Sequence, residues 1–334
     1  MTGRAQHLRA WAELLRLPAL FTVPGDALAG ASAVGLRPGR GTFLAIGSSL
    51  CLYEAGMALN DWADRAEDAV DRPHRPLPSG RIRPAAALAA AGAFTAGGLA
   101  LAHRAGRPAT ALATALAATV WAYDLGLKHT PAGPVAMAAA RGLDVLLGAA
   151  ATHAPPRCGQ ASRKAMGVPP ARAQSRAWGR VGTAPFAGQQ AHGLSNALPT
   201  ATTIAAHTLA VTTVSRNETQ GGSPTAPLGA LATTIALTHK LPTGRRVAAA
   251  PGLSGSTLTT LAAGAYVAAT ARPYFHAALN PSPPLTQRAV GAGIRALIPL
   301  QAALAARNGA PATALITAAL APLAKRIAPK VSVT

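Results

Sequence analysis

Ten stretches of the chain, each close to the length needed to cross a lipid bilayer, carry almost no charge. A membrane-spanning helix needs about 20 mostly apolar residues, because its backbone must satisfy its own hydrogen bonds in hydrocarbon. The candidate spans are residues 17–36, 41–60, 85–103, 108–123, 133–152, 194–214, 225–239, 251–271, 289–306 and 310–324. The last two are the weakest, since Arg295 interrupts one and the other is short. The sequence therefore predicts an all-α, polytopic membrane bundle of about nine transmembrane helices.

The composition favours a membrane protein over a soluble one. Charged residues make up 13% and hydrophobic residues 50% of the chain, whereas a soluble domain has roughly 25% charged residues. A formal net charge of +20 would suggest nucleic-acid binding in a soluble protein. Here the basic residues lie mainly in short loops between apolar segments, which is typical of proteins that face anionic lipid. We expect the lipid bilayer as a partner and no nucleic acid.

The loops between the spans predict an orientation in the membrane. The first apolar segment resembles a signal peptide, but Asp26 lies in its centre and many spans follow, so we expect a retained helix. With a cytoplasmic N-terminus, the loops that carry most of the reactive side chains all lie on the cytoplasmic side, and the arginines of the first agree with the positive-inside rule. These loops are residues 61–84, 124–132, 215–224 and 272–288. We expect a cytoplasmic-membrane protein with its site facing the cytoplasm.

Residues 153–192 depart from the rest of the chain. They are rich in Pro, Gly, Ala and Arg and show no clear period. This composition is typical of a flexible loop or insertion. In the orientation predicted above, its arginines would lie on the outer side of the membrane, which disagrees with the positive-inside rule. We interpret residues 1–334 as a single domain that carries this insertion.

Residues 60 to 82 read NDWADRAEDAVDRPHRPLPSGRI and gather carboxylates and arginines at the end of the second span. On a helix, Asn60, Asp64 and Asp68 recur at i, i+4 and i+8 and share one face, with Asp61 at its edge. Like charges this close repel one another unless a cation lies among them. Oxygen ligands that leave room for water or phosphate suit Mg²⁺. The pattern predicts a magnesium site made by these four residues.

Arginines follow this acidic pattern directly. Arg72 and Arg75 have planar guanidinium groups that suit phosphate oxygens, and three prolines between residues 73 and 78 keep the loop extended. Together the acids and arginines suggest a diphosphate bridged by a metal ion. The alternative is a solvated, charged loop whose arginines only set the topology.

This stretch resembles the UbiA-type intramembrane prenyltransferases. Their first aspartate-rich motif, N-D-x-x-D-x-x-x-D, ends the second helix and is commonly followed by R-P-L-P-S-G, which occurs here at residues 75–80. Tyr53, Gly56 and Met57 on the preceding span are also similar. The resemblance implies a bundle of about nine helices, a Mg²⁺ cofactor, a prenyl diphosphate donor and a lipophilic acceptor that is aromatic or quinone-like.

The resemblance also implies roles for individual residues. Asp61, Asp64 and Asp68 would act in catalysis through the metal. The segment YDLGLKHT looks like the family's tyrosine-to-lysine segment, so that Lys128 would contact the diphosphate and Tyr123 the prenyl chain or the acceptor. The alternative for Lys128 is an ordinary membrane anchor.

Four further charged residues lie inside predicted spans, where charge is costly and often functional. Arg141 and Asp144, at i and i+3 of the fifth span, either pair with each other or line the substrate cavity. Asp26 and Glu54 could bind a polar acceptor head or act as a base. Alternatively, each is a protonated acid satisfied by a neighbouring helix.

The second aspartate-rich motif of the family is degenerate here. In VSRNETQGGSP, Ser215 and Thr219 stand where carboxylates are expected, and Glu218 is the only acid. The site could use one metal, bind a second weakly through Asn217 and Glu218, or lack catalysis; Arg216 and Glu218 remain candidate substrate-binding residues. A non-catalytic or transport-associated membrane protein of the same fold is therefore a second hypothesis. A phospholipid head-group transferase is disfavoured, since its D-G-x-x-A-R pattern is absent.

Overall fold

The computed structural model describes residues 3–153, 193–218, 221–241 and 255–327, and every regular element in these ranges is a helix. In chain order the α-helices are α1 (Gly3–Leu14), α2 (Val23–Ala33), α3 (Arg40–Ala63), α4 (Arg65–Asp71), α5 (Pro84–Ala105), α6 (Arg107–Leu125), α7 (Gly133–His153), α8 (Leu198–Ser215), α9 (Thr225–Lys240), α10 (Gly255–Leu279), α11 (Pro283–Arg307) and α12 (Pro311–Ile327). The predicted all-α fold is confirmed. The predicted insertion, apart from the end of α7, lies outside the described residues.

Each predicted span coincides with helical structure. Among the described residues, α3, α5, α7 and α11 are long and apolar enough to cross a membrane, by length and composition. The other helices are shorter or less hydrophobic. The loop predicted at residues 272–288 is shorter than expected, because α10 continues to Leu279 and α11 begins at Pro283.

The first predicted span is not one α-helix. It begins with a 3₁₀ helix, Leu17–Thr22, and continues as α2, whose residues are almost all buried. Pro24 stands in the first turn of α2. Proline has a fixed φ and no N–H, so it suits the start of a helix and interrupts one that would run through it.

Helices α2 and α7 pack backbone to backbone at the centre of the bundle. A Cβ added at Gly148 would overlap the backbone of Ala27, and one at Gly30 would overlap the carbonyl oxygen of Val145. Small residues permit this close approach between helices in membranes. Side chains of α7 contribute to the two largest apolar clusters of the core, so α7 joins the two halves of the bundle.

The four reactive loops meet at one end of the bundle, as predicted. Arg216 donates from Nη1 to the carbonyl oxygen of Thr130 at 2.7 Å. The Gly222 N–H donates to the carbonyl oxygen of Pro281 at 2.9 Å. An ion pair described below joins the first of the four loops to the second. The helices therefore bring side chains from distant parts of the sequence to a common site.

Candidate active site

The acidic motif lies at a bend between two helices. Helix α3 ends at Ala63, α4 begins at Arg65, and Asp64 between them has φ −84° and ψ 1°. The Asp64 N–H donates to the Asn60 carbonyl at 2.9 Å, and the Asp68 N–H to the Asp64 carbonyl at 2.8 Å. The backbone hydrogen bonds therefore follow the predicted i, i+4, i+8 spacing. The single continuous helix expected for this spacing is, however, interrupted at Asp64.

Two carboxylates of the motif are buried and paired with arginines of the following loop. Asp61 and Asp68 expose only 4% and 3% of their surface. Arg75 Nη1 lies 2.7 Å from Asp68 Oδ2 and 3.7 Å from Asp61 Oδ1, and Arg72 Nη1 lies 3.6 Å from Asp68 Oδ1. The Arg75 side chain is 19% exposed and that of Arg72 is 43% exposed, so the pair between Arg75 and Asp68 is the better shielded from water. These pairs therefore fix the loop against the end of α3.

The same loop is tied to α1. Arg81 reaches Glu13 with both terminal nitrogens, at 2.6 Å and 3.0 Å, and the hydrogen bond with Glu13 raises the pKa of the Arg81 guanidinium. The Ser79 hydroxyl donates to the Arg75 carbonyl at 2.6 Å. These contacts turn the proline-containing loop back toward the motif, which places Arg75 beside the carboxylates.

Asp64 pairs with Lys128. Their ion pair joins the α3–α4 bend to the loop after α6, and their side chains are only 18% and 9% exposed. Asp64 also lies beside Glu67 and His129, and one ligand atom from each of the three lies within 4.8 Å of the others. Asp64 therefore contacts a cation, Lys128, and also lies near two further potential metal ligands.

Arg16 and Asp124, which sequence patterns did not single out, complete this end of the site. Arg16 Nη2 lies 3.0 Å from Asp61 Oδ1, and Asn60 donates from Nδ2 to Asp124 Oδ1 at 3.1 Å. Arg16 has a left-handed backbone with φ 45°, a conformation that is rare outside glycine and clusters at functional sites. A signal for Asp124 was present, since it is a carboxylate at the end of an apolar span. Arg16 looks in sequence like any basic residue that flanks a span.

The degenerate second motif contributes little negative charge. Among residues 215–218, Glu218 is the one carboxylate, and the Ser215 hydroxyl donates to its Oε2 at 3.2 Å. Ser215 lines the cavity described next, whereas Arg216 and Glu218 lie outside its wall. Thr219 lies outside the described residues. This segment does not fit a second Mg²⁺ held by paired carboxylates.

A cavity of about 360 Å³ extends from the motif into the bundle. Arg16, Asn60, Tyr123 and Asp124 line its motif end. The predicted contact of Tyr123 with the prenyl chain or the acceptor stays a prediction. Ser49 lies in the same wall, eleven residues before Asn60 on α3, which corresponds to about 16 Å at the helical rise per residue. The cavity therefore follows α3 deep into the membrane-spanning part of the bundle.

Apolar side chains form most of the cavity wall between these points. They come from α3, α6, α8 and α11 and include Leu52, Val120, Val211 and Leu297. Tyr53, Gly56 and Met57, singled out in the sequence, also line it. Such a wall suits a hydrocarbon chain, because removing apolar surface from water is favourable at about 25 cal/mol per Å².

A second charged cluster lies at the deep end. Arg141 Nε lies 2.9 Å from Asp26 Oδ2, and Gln301 donates from Nε2 to Asp26 Oδ1 at 2.8 Å. The Ser49 hydroxyl donates to Asp144 Oδ1. Arg141 and Asp144 both line the cavity, and the ion-pair partner of Arg141 is Asp26 rather than Asp144. Of the two interpretations left open by the sequence, lining the cavity is the one that holds.

Two other buried polar side chains, His207 and Glu54, differ in whether they have hydrogen-bond partners. His207 lines the cavity, and its ring nitrogens lie 2.9 Å from the Tyr266 hydroxyl and 3.0 Å from the Gly293 carbonyl oxygen. A carbonyl can only accept, so Nε2 carries the proton and Nδ1 accepts from the tyrosine. Glu54 is 6% exposed, and its carboxylate has no hydrogen-bond partner among the described residues.

The donor set at the α3–α4 bend fits Mg²⁺. Asn60, Asp61, Asp64 and Asp68 offer oxygen ligands, which this hard cation prefers. All three of these aspartates hold guanidinium or ammonium groups in the structure. The cluster is therefore suited to bind positive charge, and the cations around it are suited to bind an anion.

The sequence matches both a protein-family model and individual known proteins. The model of the UbiA prenyltransferase family matches residues 19–283. The digeranylgeranylglyceryl phosphate synthase of Methanopyrus kandleri is 36% identical over 155 residues, which cover 44% of this chain and 55% of that protein. The chain thus spans about half the length of this relative.

Solved structures share the fold at low sequence identity. The apo structure of a UbiA homologue from Aeropyrum pernix K1 superposes with a TM-score of 0.53 at 18% identity, over 83% of this chain and 96% of that one. A UbiA homologue from Archaeoglobus fulgidus, bound to GPP and Mg²⁺, superposes with a TM-score of 0.55 at 13% identity, over 93% and 99%. At these identities the likeness concerns the fold.

Proposed function

This chain belongs to the UbiA prenyltransferase family, and from that membership we propose that it transfers an isoprenoid chain from a prenyl diphosphate to a lipophilic acceptor, with Mg²⁺ as cofactor. The observation that carries the proposal is the pairing of Arg72, Arg75 and Lys128 with carboxylates of the motif. These ion pairs lie beside Asn60, which lines one end of an apolar cavity, but they are not part of its wall. Both partners of these ion pairs can be exchanged. A metal ion takes the carboxylates, and a diphosphate takes the cations. The Archaeoglobus fulgidus homologue, bound to GPP and Mg²⁺, supports such an exchange.

Five residues offer oxygen ligands for the metal ion, more than Mg²⁺ would use together with a diphosphate. Asn60, Asp61, Asp64 and Asp68 come from the motif, and Asp124 is held beside them by the Asn60 amide. Mg²⁺, when bound, would neutralise charge on the leaving diphosphate. Asp124 adds a carboxylate beside the first motif, whereas the degenerate second motif offers only Glu218, which favours a site centred on one metal ion.

The cations of the site act on the leaving group. When the bond between the allylic carbon and the diphosphate oxygen breaks, its electron pair leaves with the diphosphate, whose negative charge grows. Arg72, Arg75 and Lys128 therefore bind the transition state more strongly than the bound donor, which lowers the barrier. A lone pair of the acceptor forms the new bond to the allylic carbon, and the acceptor proton leaves with the diphosphate or to water.

The remaining wall protects the reaction from water. The apolar side chains of α3, α6, α8 and α11 enclose the isoprenoid chain and exclude water that would quench the allylic cation. The protein is an integral membrane protein, as its four long apolar helices and its family indicate. We place the motif end on the cytoplasmic side of the cytoplasmic membrane, because arginines are concentrated in the loop that follows the motif.

Binding of labelled geranyl diphosphate (GPP) to the purified full-length chain in detergent tests this proposal. We expect binding in Mg²⁺ and none in EDTA, and a loss of about tenfold or more in affinity for Asp64→Asn, which corresponds to ~1.4 kcal/mol. Asp71→Asn is the matched control. It makes the same chemical change at an exposed position on α4, outside the predicted metal site. The proposal fails if wild type shows no metal-dependent binding, or if both variants lose affinity equally.

The degenerate second motif favours one alternative, a membrane protein that keeps the fold and binds the donor without catalysis or serves transport. Residues 215–218 offer only Glu218 as a carboxylate. Release of diphosphate separates the two functions. A prenyltransferase releases one diphosphate for each prenyl group transferred to an acceptor, whereas a binding protein retains the donor intact.

A further inference from the structure

The charged cluster at the deep end of the cavity has no evident part in binding the donor. An isoprenoid chain carries no polar atoms beyond its diphosphate, so an apolar wall suffices for it. Yet Ser49 and Asp144 make the wall polar, about 16 Å along α3 from Asn60. Ionisable groups at membrane depth are costly and mark functional sites by default. The cluster is therefore a candidate for the other substrate, the acceptor.

Within this cluster, one carboxylate is satisfied by the protein and the other faces the cavity. Asp26 is fully buried, takes the Arg141 guanidinium at 2.9 Å and the Gln301 amide at 2.8 Å, and does not line the cavity. Asp144 lines the cavity, accepts from Ser49, and lies close to both Asp26 and Arg141. Arg141 is thus the one cation beside these two carboxylates among the described residues, and its ion pair is with Asp26, so the cluster holds no cation in excess of its carboxylates.

This charge balance discriminates between acceptor head groups. Among the described lining residues, the cations are Arg16, which lies at the motif end, and Arg141; His207 uses both ring nitrogens within the protein. A phosphate or carboxylate head at the deep end would be buried without an unmatched cation to compensate its charge. A hydroxyl or amide N–H can instead donate to Asp144 and Ser49.

We propose that the deep end of the cavity binds the polar group of a neutral, hydroxyl-bearing acceptor through Asp144 and Ser49, and that it rejects acceptors with an anionic head. The acceptor's nucleophilic atom then points back toward the motif, where the donor's allylic carbon lies. This inference rests on the proposed prenyl transfer. It separates the chain from its relative in Methanopyrus kandleri, whose name specifies a glyceryl phosphate.

Matched acceptor pairs that differ only in charge test the inference. The full-length chain in detergent receives Mg²⁺, labelled geranylgeranyl diphosphate, and either 4-hydroxybenzyl alcohol or 4-hydroxybenzoate; a second pair is geranylgeranylglycerol and its phosphate. We expect prenylation of the neutral member to exceed that of the anion about tenfold or more, and Asp144→Asn to reduce this ratio by at least about threefold. Donor affinity, measured separately, should change little in that variant.

Two serine variants keep the test decisive if Asp144→Asn folds poorly. Ser49→Ala removes a hydroxyl from the cavity wall, whereas Ser48→Ala removes its neighbour, which donates to the Gly98 carbonyl and does not line the cavity. Only Ser49→Ala should shift the acceptor ratio.

Three results would overturn the inference: an anionic acceptor used as well as its neutral partner, a ratio unchanged in both Asp144→Asn and Ser49→Ala, or no transfer to any neutral acceptor by a protein that binds the donor with Mg²⁺. Absence of donor binding in wild type would refute the proposed function itself, and this inference with it.

Discussion

Replacing Lys128 with methionine separates a substrate contact from a structural anchor, the two roles that the sequence allows for this residue. Lys128 and Asp64 pair with side chains only 9% and 18% exposed, so the variant leaves a largely shielded carboxylate without its partner. We expect a loss of about 1–3 kcal/mol in the free energy of unfolding. If Lys128 also contacts the diphosphate, donor binding loses a charge-assisted hydrogen bond of about 1.5–3 kcal/mol, which weakens Kd by roughly 10- to 150-fold.

A double-mutant cycle distinguishes these two effects. Adding Asp64→Asn to Lys128→Met removes the orphaned carboxylate, so most of the lost stability should return. Donor binding should not return, because the double variant lacks both a cation for the diphosphate and a ligand for the metal. The assays are unfolding in SDS, followed by circular dichroism, and equilibrium binding of labelled geranylgeranyl diphosphate with Mg²⁺.

Two controls define the outcome. Lys128→Arg retains the positive charge and should bind the donor close to wild type. Lys240→Met changes an exposed lysine at the end of α9 and should leave donor binding unchanged. If Lys128→Met loses stability but binds the donor as tightly as wild type, Lys128 is an anchor only and the assignment to the diphosphate is refuted.

Three further variants test other parts of the structure. Asp124→Asn should raise the Mg²⁺ concentration needed for donor binding about tenfold with little change in stability, since an amide oxygen can still accept from Asn60; an unchanged Mg²⁺ titration would remove Asp124 from the metal site. His207→Phe removes two buried hydrogen bonds and should lower the free energy of unfolding by about 1–3 kcal/mol, measured in SDS. Gly148→Ala should destabilise by about 1–3 kcal/mol, because its Cβ overlaps the α2 backbone, whereas Gly142→Ala on the same helix meets neighbours at 3.6 Å and should be tolerated; equal effects would contradict the close packing.

Local patterns were sufficient for the helices and for the motif. The charge-free segments predict helices because a backbone in hydrocarbon has few other ways to satisfy its hydrogen bonds, and each of the ten contains a helix in the part that the structure describes. The acidic motif is equally local, since its residues lie within nine positions of one another. The exceptions are local as well. Pro24 and the bend at Asp64 alter helices that were expected to be continuous.

The partners of these residues depend on packing between distant helices. Arg16 and Asp61 are 45 positions apart, Asp64 and Lys128 are 64 apart, and no periodicity in the sequence encodes such distances. Arg141 pairs with Asp26 rather than with Asp144, three residues away, because α2 lies against α7 where glycines allow their backbones to touch. The sequence by itself determined a membrane bundle with one acidic motif. Only the tertiary structure decided which carboxylates are matched by a cation and which, like Asp144, are left facing the cavity, because charge compensation depends on distances in space.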